Sequence, residues 1–226
     1  MIVAPFIIGD FRWAYVQSVW DRWQGFNVGV LALASSVVAL KISNHRLKIQ
    51  QAQNLKAAKA LLPASLSEIC ELLTLHSEIY KDLFEGKISE AHYPSRLKVT
   101  PTLRENFSDC IKLAQEDAGR LLVEILSIMQ VFDARSNETE IRDQDPSLLD
   151  KYHIIKMLLS LAEIRVRVNK LFPWARGLED IAECTLSMDD FTTAYLNLDI
   201  NVENYSVNET LTLAGFTKSR IEEKRV

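Results

Sequence analysis

Residues 23–40, WQGFNVGVLALASSVVAL, decide the fold of this chain. These eighteen residues carry no charge, and Arg22 and Lys41 close the two ends. As a helix they are about 27 Å long, just enough to cross a bilayer core of about 30 Å. We therefore predict a transmembrane helix here. The alternative is a buried core helix, which is usually shorter and is seldom flanked by both an aromatic cluster and an acid-free basic run.

Tryptophans lead into this stretch at positions 13, 20 and 23. Together with Val16 they recur at helical spacing, so Trp13, Trp20 and Trp23 share one face of a helix. Trp is favoured at the headgroup level of a membrane, where its ring is buried and its N–H stays hydrated. We predict an interfacial segment over residues 1–22. An aromatic core stripe would have the same spacing.

Charge is segregated along the chain. The net charge is −4, but the first 62 residues carry +5 and the remaining residues carry −9. The positive charge comes from a basic collar without any acid in residues 41–62, formed by Lys41, Arg46, Lys48, Lys56 and Lys59. We expect this collar to face anionic lipid, and the acidic body not to bind nucleic acid directly.

The basic collar also predicts orientation. Only Arg12 and Arg22 lie on the other side of the span, so the C-terminal body should be cytoplasmic and the N-terminus outside. Residues 2–8 have no basic residue before them and are broken by Pro5, so we do not expect a cleaved signal peptide. This combination is typical of a single-pass membrane protein.

Small residues line one side of the predicted span. Such a stripe lets helix backbones approach closely in lipid, where packing replaces the hydrophobic effect as the force for association. It predicts a homo-oligomer through the span, although small residues are also common in spans that stay single. The stripe consists of Gly25, Gly29, Ala32, Ser36 and Ala39.

Residues 41–62 predict a helical stalk that ends before Pro63. Its thin apolar stripe, Leu47, Leu55 and Leu62, suits pairing with another helix, or packing on the chain's own domain. Residues 63–226 predict a cytoplasmic helical domain, which makes the whole chain all-α. Helical periodicity is clear in residues 64–84, 103–132 and 148–172, with a polar break at 133–146. Pro173 should end the third segment, and shorter helices are expected at 174–187 and 189–198, where the Ser187 hydroxyl could cap Asp190. Residues 199–226 stay unassigned.

No catalytic, nucleotide-binding or metal-binding motif occurs in the sequence. The histidines are scattered, the three cysteines are widely spaced, and we expect neither an enzyme nor a cofactor. Arg165 and Arg167 could recognise a phosphate or a partner carboxylate, although an ion pair from Glu163 to Arg167 would explain one of them structurally. A carboxylate cluster is expected to be a solvated acidic face; it comprises Glu179, Asp180, Glu183, Asp189 and Asp190.

The pattern W-x-x-W-Q-G…A-L…A-x-x-L-L-P-x-x-L-S, which covers about the first 70 residues, resembles that of a group of uncharacterised bacterial single-span membrane proteins. Its architecture also resembles membrane effectors of anti-phage systems, including some encoded beside retron reverse transcriptases. That similarity is architectural and implies no residue roles. The pattern is carried by Trp20, Trp23, Gln24, Gly25, Ala32, Leu33, Ala58, Leu61, Leu62, Pro63, Leu66 and Ser67.

Two functions from different classes follow. The first is a non-enzymatic membrane effector or signalling protein, kept inactive by a cytoplasmic protein partner, which could itself be a protein–nucleic-acid complex. The second is a membrane-tethered scaffold that recruits a soluble partner through its helical body. In the first the lipid-embedded span participates in function, and in the second it is only a tether.

Overall fold

The computed structural model describes residues 12–87, 99–142, 151–180 and 185–224. Within these ranges the elements are helical and no strand occurs, so the predicted all-α fold is confirmed. The predicted interfacial residues 1–11 lie outside them. The helices are α1 (Trp13–Glu85), α2 (Pro101–Leu113), α3 (Glu116–Arg142), α4 (Lys151–Ala175), α5 (Met188–Asn197) and α6 (Leu213–Glu223), with a 3₁₀ turn at Val202–Asn204.

The chain divides into two compact units, Met1–Ala52 and Gln53–Val226. Helix α1 contributes to both, because it runs from Trp13 to Glu85. In the first unit its side chains are almost all exposed. The second unit is a helical bundle with one hydrophobic core.

Helix α4 is the central element of the bundle. Most of its residues are buried, and it packs against α3, α5 and α6. A helix that is apolar on nearly every side needs neighbours all round, which explains this position. The second-unit part of α1 adds its own core residues, Leu62, Leu66, Ile69, Leu73 and Tyr80. Leu55 also packs against this core, so the apolar stripe of residues 41–62 is partly used by the chain's own bundle.

The helix end predicted at Pro63 is wrong, since α1 continues through it. Proline inside a helix costs about 3 kcal/mol, because it removes one backbone hydrogen bond and crowds the preceding turn. Leu62 and Leu66 are fully buried on either side, and burying each leucine side chain is worth about 1.5–3 kcal/mol. The hydroxyl of Ser67 also donates to the Pro63 carbonyl at 3.0 Å. Tertiary packing therefore outweighs the local cost.

Residues 103–132 form two helices rather than the single one that their periodicity predicts. Ala114 ends α2 in an extended conformation, while its N–H still bonds the Cys110 carbonyl at 2.8 Å. Helix α3 then begins with Glu116 and Asp117, whose negative charges suit the positive end of a helix dipole. The apolar period continues across the break because both helices pack on the same core.

The C-terminal half of α3 is longer than expected. The polar stretch from residue 133 predicts a loop, but the helix continues to Arg142. No glycine or proline interrupts it before Pro146, and a buried hydrogen bond of 3.0 Å between the hydroxyls of Tyr80 and Ser136 ties this part to α1. Composition alone underestimates a helix that has such tertiary support.

Two glycines end helices in the same way. Gly86 and Gly177 have positive φ angles of 70° and 72°, which L side chains rarely adopt. The N–H of Leu178 bonds the Pro173 carbonyl and that of Gly177 bonds the Trp174 carbonyl, both at 2.9 Å. This is a Schellman motif, so α4 ends just beyond Pro173 rather than at it.

The shorter C-terminal helices agree only in part with the prediction from the sequence. The helix predicted over residues 174–187 is absent from the described parts at 176–180 and 185–187. Helix α5 is present, and Ser187 caps it as expected: the hydroxyl accepts from the Asp190 N–H while Asp190 bonds back to Ser187. Helix α6 lies in the region left unassigned, and its N-cap is Thr212.

Candidate functional site

The predicted span lies within α1 in the first unit. Among the described residues, α1 is the one helix long and apolar enough to cross a membrane. Its apolar window near the N-terminus has a mean hydropathy of 1.4 and no buried residue. The exposed large apolar side chains of residues 23–40 are Trp23, Phe26, Val28, Val30, Leu31, Leu33, Val37, Val38 and Leu40. This surface is far more apolar than water-exposed helices usually are.

The small-residue stripe forms one narrow face of the helix. At 3.6 residues per turn, its five members fall within about 80° of the helix circumference. A Cβ added at Gly25 or Gly29 would meet nothing within 4 Å in the isolated chain. The remaining members, Ala32, Ser36 and Ala39, are exposed as well. This face therefore has room for a close helix neighbour.

The indoles occupy the other side of the same helix. Trp13, Trp20 and Trp23 also fall within about 80° of circumference, and the centres of the two faces lie about 160° apart. All three indoles are exposed, whereas Val16 between them is buried. Trp23 and Phe26 form an edge-to-face pair with ring centroids 5.8 Å apart. An aromatic face and a small-residue face are thus opposed on one helix.

Two hydroxyls in the span are satisfied within the helix. Ser35 donates to the Leu31 carbonyl at 2.8 Å, and Ser36 donates to the Ala32 carbonyl at 2.9 Å. A polar group in the bilayer core must find its partner inside the protein, because water is absent there. Neither serine therefore disfavours a position in lipid.

The basic collar is divided between the two units. Lys41, Arg46 and Lys48 are exposed in the first unit, where they are open to an anionic surface. In the second unit Lys56 is exposed, but Lys59 is half-buried with its Nζ 4.2 Å from the centroid of the Trp174 ring. Such a contact stabilises a cation on an aromatic face. Lys59 thus belongs to the bundle packing, which its sequence context did not predict.

A charged network crosses the bundle interior. The Arg167 guanidinium is buried, with Nε 2.9 Å from Glu124 and Nη2 3.0 Å from Glu163. Glu163 also lies 3.6 Å from Arg220 on α6. The expected pair from Glu163 to Arg167 is therefore present. Sequence spacing could not reveal Glu124 or Arg220, because they lie on other helices.

The second candidate arginine, Arg165, contacts α1. It lies beside the thiol of Cys70, and its Nε is buried with no hydrogen-bond partner among the described residues. Burial raises the pKa of the Cys70 thiol, and the neighbouring guanidinium opposes that increase. Arg167 is thus fully buried and paired within the bundle, whereas Arg165 is half-buried beside α1.

Two interior groups have shifted pKa values. Burial lowers the pKa of His76, against the opposing charge of Asp133, and burial raises the pKa of the Cys110 thiol to about 11. A shifted pKa can mark a functional site, but here burial explains the shifts.

The carboxylate cluster does not converge on one point in the described residues. Glu179, Asp180 and Asp189 are exposed, and Glu183 lies outside the described ranges. Burial would raise the pKa of Asp190, but hydrogen bonds from Lys170 and Ser187 outweigh it and hold that pKa below its usual value. Across the described ranges, no group of three or more His, Cys, Asp or Glu side chains could hold a metal ion.

Sequence reasoning missed the concave surfaces of the bundle, two of which are defined by their volume and lining. The larger, of about 620 Å³, lies between α5, α6 and the 3₁₀ turn, and the exposed side chains of Met188 and Leu196 border it. The smaller, of about 360 Å³, has Arg135, Lys156 and Arg220 on its wall. Each combines residues distant in sequence, so no local pattern marks it.

Over the residues it describes, the structure defines an all-α protein with one helix long and apolar enough to cross a membrane, and a helical bundle. No family model, curated protein or solved structure matches the chain.

Proposed function

We propose that the chain is a membrane-anchored, non-enzymatic effector or signalling protein of a bacterial inner membrane. Its bundle is cytoplasmic and binds a protein partner that keeps it inactive. It acts when its spans associate through the small-residue stripe. The architectural resemblance to anti-phage membrane effectors supports a role in antiviral defence, and a reverse transcriptase or nuclease gene beside its own would strengthen that part of the proposal.

The observation that carries the proposal is the opposition of two faces on one apolar helix. A helix that serves only as a tether needs apolar side chains all round and no small-residue face. Here the indoles suit the lipid interface, while the stripe around Gly29 is open enough for a second backbone. This division favours a span that associates.

The test replaces the two glycines of the stripe. Gly25→Leu/Gly29→Leu should reduce crosslinking between full-length chains in membranes and relieve growth inhibition on overexpression, because bulky side chains keep the helices apart. Val30→Leu/Val37→Leu is the control, since it places the same residue type on a different side of the helix. The proposal is wrong if the glycine substitutions leave crosslinking and growth inhibition unchanged, or if the valine substitutions reduce both to the same extent.

A second candidate function is the membrane-tethered scaffold. The concave surface of about 620 Å³ favours this function. Leu196 lies at its border, and 76% of this apolar residue is exposed. An exposed apolar border of this kind is typical of a protein-binding surface. Replacing residues 23–40 with an unrelated transmembrane segment separates the two functions, because a scaffold would keep its activity and a span-driven effector would lose it.

A further inference from the structure

A third concave surface of the bundle lies between α2 and α3 and has a volume of about 490 Å³. This volume falls in the range of small-molecule sites, about 300–1,000 Å³. The residues of α3 that line it run from Leu126 to Asp133, which makes the cleft about 10 Å long at the helical rise per residue. Its dimensions therefore suit a small molecule.

Apolar side chains supply much of the cleft wall. Four of them also pack against the hydrophobic core of the bundle, which holds them in place without a ligand. They are Val99, Ile111, Leu126 and Met129. Most small-molecule sites are preformed surfaces of this kind, with a few polar groups that orient the ligand. The cleft can therefore receive an apolar group without a rearrangement of its helices.

Two opposite charges line the same cleft without pairing to each other. Arg104 on α2 is exposed and Asp133 on α3 is half-buried, and neither has an ion-pair partner within the described residues. The third charge of the lining, Lys112, already lies 3.1 Å from Asp109. These four charges sum to zero. The cleft is therefore suited to a molecule that carries both charges rather than to a simple anion.

The protein leaves the Asp133 carboxylate incompletely satisfied. Its Oδ1 atom is buried and has no hydrogen-bond partner among the described residues. Asp133 faces the ring of His76, but burial lowers the pKa of His76, so the ring is uncharged at neutral pH and does not balance the carboxylate. Burying an unpaired charge is costly, so a cation in the cleft stabilises this carboxylate.

We propose that this cleft binds a small zwitterion with an apolar body, either a free amino acid with a large aliphatic side chain or a short peptide of such residues. The planar guanidinium of Arg104 binds its carboxylate, and the carboxylate of Asp133 accepts hydrogen bonds from its ammonium group. The apolar side chains of the cleft contact its body. The site lies entirely in the bundle, so it does not depend on the membrane function proposed above.

The test measures ligand binding to the full-length protein in an uncharged detergent. Leucine and leucyl-leucine are titrated by calorimetry at neutral pH and constant ionic strength. Leucinamide, which lacks the carboxylate, and 4-methylpentanoate, which lacks the ammonium group, are the reference compounds. Each should bind about tenfold more weakly than leucine, because it loses one charge-assisted interaction. Tighter binding of leucyl-leucine than of leucine indicates a peptide, and the reverse order indicates a free amino acid.

Two variants assign each charge of the ligand to its protein group. Arg104→Gln should raise the Kd of leucine about tenfold and leave the Kd of leucinamide unchanged. Asp133→Asn should also raise the Kd of leucine, but leave the Kd of 4-methylpentanoate unchanged. Arg120→Gln and Asp117→Asn are the matched controls, because both residues are exposed on α3 and do not line the cleft. Both controls should bind leucine as the parent chain does.

The proposal is overturned if neither leucine nor leucyl-leucine binds, or if leucine and 4-methylpentanoate bind the parent chain equally. It is also overturned if Arg104→Gln weakens the binding of leucine and leucinamide to the same extent, since the guanidinium would then not recognise the carboxylate. If Asp133→Asn fails to fold, the Arg104 variant decides alone, because Arg104 is exposed and its replacement should leave folding intact.

Discussion

The Arg167 side chain is the largest among those fully buried in the bundle. A buried charge is costly to remove from water, and this cost is recovered only when partners surround it. Glu124 and Glu163 both contact its guanidinium, and the Glu163 carbonyl accepts a further hydrogen bond at 3.2 Å. Arg167 therefore has a structural role, and the partner recognition considered from the sequence is not needed to explain it.

Arg167→Ala should lower the free energy of unfolding by about 3–5 kcal/mol, because it leaves the buried Glu163 with a weaker partner. Denaturant unfolding followed by circular dichroism in detergent measures this change. Arg104→Ala, at an exposed arginine of α2, is the control and should have little effect. Equal stability of the two variants would contradict the structural role.

His76 predicts how stability depends on pH. Burial lowers its pKa in the folded state, so below the unfolded value of about 6.5 the unfolded chain binds more protons than the folded one. Its contribution is absent above about pH 6.5 and becomes destabilising as pH falls towards the folded pKa. Asp133 faces the ring, and its negative charge reduces this effect.

His76→Phe should therefore make the melting temperature less sensitive to acid. The ring already packs edge to face on Phe132 at 5.6 Å, and its Nδ1 has no hydrogen-bond partner among the described residues, so phenylalanine keeps the packing and removes the titration. Melting temperatures at about pH 7.5 and pH 5.5 test this. The prediction is refuted if lowering the pH reduces the melting temperature of the variant by as much as it reduces that of the parent chain.

At the scale of elements, the cap of α5 is a local feature that both sequence and structure identify. Ser187→Ala should lower the free energy of unfolding by about 1 kcal/mol, because the Asp190 N–H loses its acceptor. Thermal unfolding of the full chain measures this cost. Thr192→Ala removes a hydroxyl that only bonds the Met188 carbonyl within the helix, and should change stability less. A larger loss of stability in Thr192→Ala than in Ser187→Ala would argue against the cap.

Local patterns predicted the helices whose signals are short in range. Apolar periodicity found most of α1, α2, α3 and α4, and the spacing of serine and aspartate found the start of α5. The break at Ala114 was missed because the apolar periodicity continues across it. The continuation of α1 through Pro63 was missed because it depends on the burial of Leu62 and Leu66, which is a tertiary effect. Helix α6 has weak periodicity of its own, and its position depends on packing against α4, α5 and the 3₁₀ turn.

The candidate sites also differ in how far the sequence predicts them. The small-residue stripe and the indoles lie on one continuous helix, so residue spacing alone places them. The network around Arg167 and the cleft around Lys156 need three helices each. The spacing of Arg165 and Arg167 gives no indication that the first contacts Cys70 and the second Glu124.

At the scale of the whole molecule, the basic collar predicts topology. Green fluorescent protein fused after Val226 should fluoresce in bacteria, and alkaline phosphatase fused there should stay inactive, because the collar predicts a cytoplasmic C-terminal side. Changing Lys41, Arg46 and Lys48 to glutamine should weaken this bias. An active phosphatase fusion on the unaltered chain would contradict the proposed orientation.

Trp174, on which Lys59 packs, can also serve as a fluorescent probe of folding. The chain has four tryptophans, and Trp174 is the one outside the segment of residues 13–23. With phenylalanine at positions 13, 20 and 23, it becomes the sole strong fluorophore. Because it is only 4% exposed, its emission should be blue-shifted in the folded bundle and move to longer wavelength on denaturation. The parent chain, whose other three indoles are exposed, should additionally be quenched by brominated lipids.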